Sequence, residues 1–281
     1  MKRIILVFCL SACLYAQEFD YLLPDDFDTN EYNEYKEYYT NNKEENIENK
    51  KTNTPTKPTI FDYINPSYKI KDTIMNLQNY LDKGGDINAT NTNGNTILME
   101  ASSIGYYDLV DYIIDKKAEI NITNSNGENA LILSADYPYI LNLLIENNAD
   151  VNAIDNKGKT ALLTAAEKGN IMSVQLLIKE KSNINQKDIL GKNILIYAVE
   201  SENLDLVKYL IEKVKVDINE KDDWGQNAIF YAAKIEMARY LIYNDIDYKS
   251  RNSIGLKAYE VLKYNNKINV SNYLQKLYND E

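Results

Sequence analysis

Three carboxylates recur at matching places along the chain, Asp155, Asp188 and Asp222, each three residues before a glycine (Gly158, Gly191, Gly225). Paired carboxylates are the residue type that acid–base chemistry needs when histidine is absent, and this chain of 281 residues has no histidine at all. Its two cysteines are Cys9 and Cys13, both near the N-terminus. The commonest general base and the usual zinc ligands are therefore missing, and thiol nucleophiles are confined to the first thirteen residues. No glycine-rich phosphate cradle is present, because the glycines are spread one per turn rather than clustered. Catalytic, cofactor-binding and metal-ligating residues are accordingly assigned to none.

The elements around those carboxylates repeat. Glycines at 94, 127, 158, 191, 225 and 255 fall at intervals of 33, 31, 33, 34 and 30 residues. One unit, from Asp155 to Asp188, shows the plan: a turn at Gly158, a short helix over Thr160–Glu167, a break at Gly169-Asn170, and an apolar run over Met172–Lys179. Neither helix can bury its apolar face alone, so Leu162, Leu163, Val174 and Leu177 require copies on either side.

The repeated residues resemble the ankyrin family. Gly158-Lys159-Thr160-Ala161-Leu162-Leu163-Thr164-Ala165-Ala166 resembles its helix-entry pattern, and Ala149-Asp150-Val151-Asn152 its exit. The exit recurs as Asp86-Ile87-Asn88, Glu119-Ile120-Asn121, Asn183-Ile184-Asn185 and Asp217-Ile218-Asn219. The resemblance identifies the chain as a member of that family, and the leader and lipobox of its first sixteen residues add the expectation that it is bacterial and exported. It implies an all-α solenoid of stacked helix-turn-helix units joined by short β-turn or hairpin loops. It also gives Asp155, Asp188 and Asp222 a structural role in turn hydrogen bonds. The family's histidine, which links neighbouring turns, is replaced here by apolar residues such as Leu163 and Ile196, so packing is expected to supply the cohesion instead.

The domain plan follows from composition shifts. Residues 1–16 read as a signal peptide: Met1-Lys2-Arg3 is basic, Ile4 to Leu10 is apolar, and Ala16 offers a cleavage site. Leu10-Ser11-Ala12-Cys13 resembles a lipobox, so lipidation at Cys13 is the alternative, with a membrane-anchored lipoprotein as the outcome. Residues 17–58 read as an acidic, tyrosine-rich disordered linker, since residues 17–50 carry eleven acids against three lysines. The ankyrin-repeat domain is placed at 59–281, with an N-terminal cap at 59–89, repeats at about 90–122, 123–153, 154–186, 187–220 and 221–250, and a C-terminal cap at 251–281. Pro138 shortens the second repeat, and a missing glycine turn near Ile235 shortens the fifth.

Function is expected from a surface rather than a pocket. The repeats carry no stripe of Lys and Arg and the chain has a formal net charge of −11, which argues against nucleic acid. Ankyrin resemblance implies that the two residues before each turn glycine, and the one after it, line one edge of a concave binding face. Most are polar, as at Asn126. Two consecutive turns carry Ile189, Leu190 and Trp224, the single tryptophan, with Lys192, Asp223 and Gln226 as a polar rim. Exposed apolar residues that cluster mark an interface. The expected protein is a monomeric, non-catalytic scaffold or regulator that binds another protein in the periplasm or after secretion, with no membrane span. The alternatives are a secreted effector that binds a host protein and a lipid-anchored inhibitor of an envelope enzyme.

Overall fold

A computed structural model describes residues 59–63 and 70–280, side chains at 62 and 63 excepted; the leader, Cys13 and the acidic segment lie outside it. The chain builds helix pairs, one pair per sequence repeat. A 3₁₀ turn at Ile60–Tyr63 precedes α1 (Ile70–Asp82), and then follow α2 (Ile97–Ile104) with α3 (Tyr107–Asp115) and α4 (Ala130–Leu133) with α5 (Pro138–Glu146). Next come α6 (Ala161–Glu167) with α7 (Ile171–Lys179), and α8 (Ile194–Glu200) with α9 (Leu204–Lys208), which continues as a π-helical turn over Tyr209–Val214. A 3₁₀ turn (Ala228–Tyr231) pairs with α10 (Ile235–Tyr243), and α11 (Ala258–Tyr264) with α12 (Ile268–Asn279) closes the stack. No helix among the described residues is long and apolar enough to cross a membrane.

The first helices α2, α4, α6 and α8 start where the sequence supplies a cap. Thr160 does not belong to α6; its hydroxyl accepts from the Leu163 amide and so closes the helix entry. Asn129 and Asn193 cap α4 and α8 in the same way. Asn170, which the sequence reading treats as part of a break, caps α7 by accepting from Ser173. Pro138 sits at the first turn of α5, where a missing amide costs nothing.

The first helices form one layer: α4 packs on α2 and α6, α8 on α6 and the 3₁₀ turn at Ala228, and that turn on α11. The second helices stack beside them in the pairs α1–α3, α3–α5, α5–α7 and α10–α12. Leu98, Leu131, Leu162, Leu195 and Ile229, one per repeat, are all 1 % exposed or less, so the core is one continuous apolar column.

Packing does not hold the repeats alone, and here the structure corrects the sequence reading. Three rows of hydrogen bonds also run from repeat to repeat. At the exits, Asn88, Asn121, Asn152 and Asn219 each accept, on the side-chain oxygen, the amide of a residue one repeat on: Glu119, Asp150, Asn183 and Asp247, at 2.7–2.9 Å. Between helices, Asn170 Nδ2 donates to the Asp136 carbonyl and Asn203 Nδ2 to that of Gly169, at 2.9 and 2.8 Å. At the turns the bonds are backbone to backbone. At Asn170 and Asn203 the side-chain oxygen caps its own helix while the amide reaches the neighbouring repeat.

One seam is irregular. The 34-residue interval leaves an extra residue after α9, which the chain absorbs as the π turn, ended by Lys215 in the left-handed region at φ 62°. The Asn185 rung of the exit row is missing there among the described residues, and a cleft of about 160 Å³ opens beside Asn185, Val216 and Asp217. Glu220 bridges the gap, reaching Lys187 at 2.8 Å and Asn193 at 2.9 Å. In the fifth repeat, only 30 residues to the next glycine, the first helix is reduced to a 3₁₀ turn, and the buried Asn227 Oδ1 is left without a partner.

Candidate functional site

Each turn is built by its leading Asp or Asn. Asp155 Oδ1 accepts the amides of Lys157 and Lys159, Asp188 those of Leu190 and Lys192, and Asp222 those of Trp224 and Gln226, all at 2.7–2.9 Å. Asn91, Asn124 and Asn252 do the same at the other turns. The remaining oxygens of two of these carboxylates are also engaged: Tyr197 Oη donates to Asp188 Oδ2 at 2.7 Å, and Tyr231 Oη to Asp222 Oδ2. These aspartates hold hairpins together, as the resemblance implies. Burial first, and then the carboxylate partner, push both tyrosine hydroxyls far above the usual phenol range.

The turns are joined tip to tip. The amides of Ser125, Asn156, Ile189, Asp223 and Ser253 donate to the carbonyls of Asn93, Asn126, Lys157, Leu190 and Trp224, at 3.0, 2.8, 2.9, 3.1 and 2.8 Å. At each junction the acceptor directly precedes a turn glycine, and the donor lies two residues before the next. Gly191 has a φ of 75°, and a Cβ there would collide with Asp223, so a side chain at this position would part the two tips.

On this row the structure brings Ile189, Leu190 and Trp224 together and leaves them exposed, at 64 %, 46 % and 54 %. Asp223 is exposed beside them. Lys192 is placed elsewhere: its Nζ pairs with Glu200 at 2.7 Å and lies 4.7 Å from the Tyr231 ring centre and 5.7 Å from that of Tyr197. With Lys159, which pairs with Glu167 and lies 5.0 Å from the Tyr197 ring, it forms the floor beneath the tips. Gln226 is half-buried, and its amide is used by the turn. An open cleft of about 620 Å³ runs between this floor and the tips, with Lys157, Ile189 and Leu190 on its rim.

Two residues on the row escape the sequence reading. Ile254, 68 % exposed, precedes Gly255 just as Trp224 precedes Gly225, and the Ser253–Trp224 bond seats it on the next tip. Ile154, 53 % exposed, stands one residue before Asp155. Position relative to the glycine was the available signal for Ile254. The equivalents of Ile154 in the next three turns are Lys187, Lys221 and Arg251, so the outer arm of these hairpins is basic where the tips are apolar, a short row of bases that corrects the sequence reading of none. Lys187 Nζ donates to the Lys221 carbonyl at 3.1 Å, which fixes these two as neighbours.

Comparison with known proteins agrees with this architecture. The family pattern described as ankyrin repeats in three copies matches residues 71–155, 98–188, 136–222 and 162–252. The crystal structure of the human ASB11 ankyrin repeat domain is similar in fold, with a TM-score of 0.60 and 20 % sequence identity, over 67 % of this chain and 86 % of that one. No curated protein matches the chain. With overlapping matches running from residue 71 to 252, on helix pairs whose hairpin turns are tied tip to tip, the chain belongs to the ankyrin-repeat family.

Proposed function

We propose that this protein is a non-catalytic binding module whose contact face is the tip row from Ile189 to Ile254, and that its partner is another protein. Ankyrin repeats indicate a protein–protein interaction module. The observation that carries the choice of face is the exposure of Ile189, Leu190, Trp224 and Ile254 on three consecutive, hydrogen-bonded turns. Among the described residues ten large apolar side chains are left exposed; four lie on this row, Ile154 stands on the arm of the preceding turn, and the other five are distributed among the helices. A rigid backbone ladder beneath them means that little order must be imposed on binding. The basic start Met1-Lys2-Arg3 and the apolar Ile4 to Leu10 support an exported form, in the periplasm or secreted.

The test is affinity capture from the exporting compartment with the wild-type chain, followed by the affinity of each captured protein for Trp224→Ala and for Asn126→Ala, a change on an exposed polar tip. Loss with the first and retention with the second is the expected result. Equal affinities would move the contact face away from this row.

A further inference from the structure

The tip row and the acidic segment of the same chain share a period. In the fourth, fifth and sixth turns one apolar residue and one base recur together, three residues apart: Lys187 with Leu190, Lys221 with Trp224, Arg251 with Ile254. Stacked helical units advance by roughly 8 to 10 Å. The segment at 17–50, outside the described residues, carries a net −8 and contains Glu31-Tyr32, Glu34-Tyr35 and Glu37-Tyr38, one acid and one aromatic ring every three residues. An extended chain of polyproline II type has three residues per turn and advances about 9.3 Å per turn, so residues i and i+3 lie on one face at the spacing of the tips.

From this match we propose that the acidic segment docks on its own repeat domain, with Tyr32, Tyr35 and Tyr38 against Leu190, Trp224 and Ile254, and the three glutamates toward the basic arm. The inference rests on the reading of the tip row as a contact face, and it makes the segment a competitor for the external partner. Two observations favour this occupant over an unrelated one. Charge is complementary locally even though the whole chain is acidic: Lys221 and Arg251 are exposed on the outer arm, and Lys187, paired with Glu220, lies beside them; Asp223 is the opposing exposed acid on these tips. Length is also sufficient. The twenty-one residues from Tyr38 to Thr59 span up to about 70 Å when extended, against roughly 48 to 60 Å for the six stack spacings that separate the first helix pair from the Ile254 turn, where Tyr38 docks.

Trp224, the single tryptophan, reports the docking directly. Acrylamide quenching of its emission is compared in the full wild-type chain and in the full chain carrying Tyr32→Ser, Tyr35→Ser and Tyr38→Ser, which alter no residue of the repeat core. If the docked state is the major one, the triple variant shows a quenching constant about twofold higher or more. Raised salt or Lys221→Glu with Arg251→Glu shifts the wild-type value in the same direction. Equal quenching in wild type and triple variant overturns the proposal, as does protection that grows with protein concentration, which assigns the segment to a second copy. Neither outcome touches the partner-face reading, which stands or falls on the Trp224→Ala affinity.

Discussion

The amide of Ser253 donates to the carbonyl of Trp224 at 2.8 Å, and this bond joins the turn that carries Ile254 to the turn that carries the indole. The contact therefore depends on backbone, and side chains on the row can change without moving it. Trp224→Ala is expected to leave the unfolding free energy within about 0.5 kcal/mol of wild type, and so the midpoint nearly unchanged, as for other exposed positions. Partner affinity should fall by about 2 kcal/mol or more, the usual cost of truncating a central interface tryptophan. Thermal unfolding and titration calorimetry on one preparation separate the two effects; a lowered midpoint with unchanged affinity would make Trp224 a packing residue.

Stability resides in the apolar column. Leu162 is fully buried and Leu195 is 1 % exposed, so each Leu→Ala change should cost roughly 2 to 5 kcal/mol in urea unfolding. A loss below 1 kcal/mol at either site would show that the neighbouring repeats collapse into the space.

Asn203 performs two tasks at once. Its Oδ1 accepts the amides of Asp205 and Leu206, both at 3.1 Å, and its Nδ2 donates to the Gly169 carbonyl at 2.8 Å. Asn203→Asp keeps the cap and loses the inter-repeat bond, whereas Asn203→Ala loses both. The alanine variant should be less stable by about 1 to 3 kcal/mol, and the aspartate variant should lie between it and wild type. An aspartate variant as stable as wild type would mean that the inter-repeat bond contributes nothing, and equal stabilities for the two variants that the cap contributes nothing.

Alkaline pH probes the tyrosine–aspartate pairs. Folding raises the Tyr197 and Tyr231 pKa values above the ordinary 10.0, by burial first and by the Asp188 and Asp222 partners next. Their contribution is fully present below pH 10 and is lost as pH rises toward the folded values, because the unfolded chain ionises first. The double variant Tyr197→Phe with Tyr231→Phe should show a shallower fall in stability above pH 10 than wild type, measured by urea unfolding across that range. Parallel curves would show that the two hydroxyls are as easily ionised in the fold as out of it.

Much of the architecture is legible in the sequence because repetition in register is a local signal summed many times. The glycine at each turn, the Asp or Asn three residues before it and the alternation of two short apolar runs need only their own thirty residues to be recognised. The apolar tips at Ile189, Leu190 and Trp224 are legible for the same reason, being fixed relative to a glycine. Tertiary structure alone decided where side chains turn after leaving the backbone. Lys192 and Leu190 are two residues apart, yet the lysine points to Glu200 and Tyr231 while the leucine faces outward. Asn88 and Glu119, like Asn203 and Gly169, meet only because the stack closes the distance. The π turn after α9 and the 3₁₀ turn at Ala228 arise where intervals of 34 and 30 residues are fitted to neighbours of regular height. A repeat's own residues determine its turns and helices, whereas these features depend on partners about thirty residues away, which become neighbours only in the folded stack.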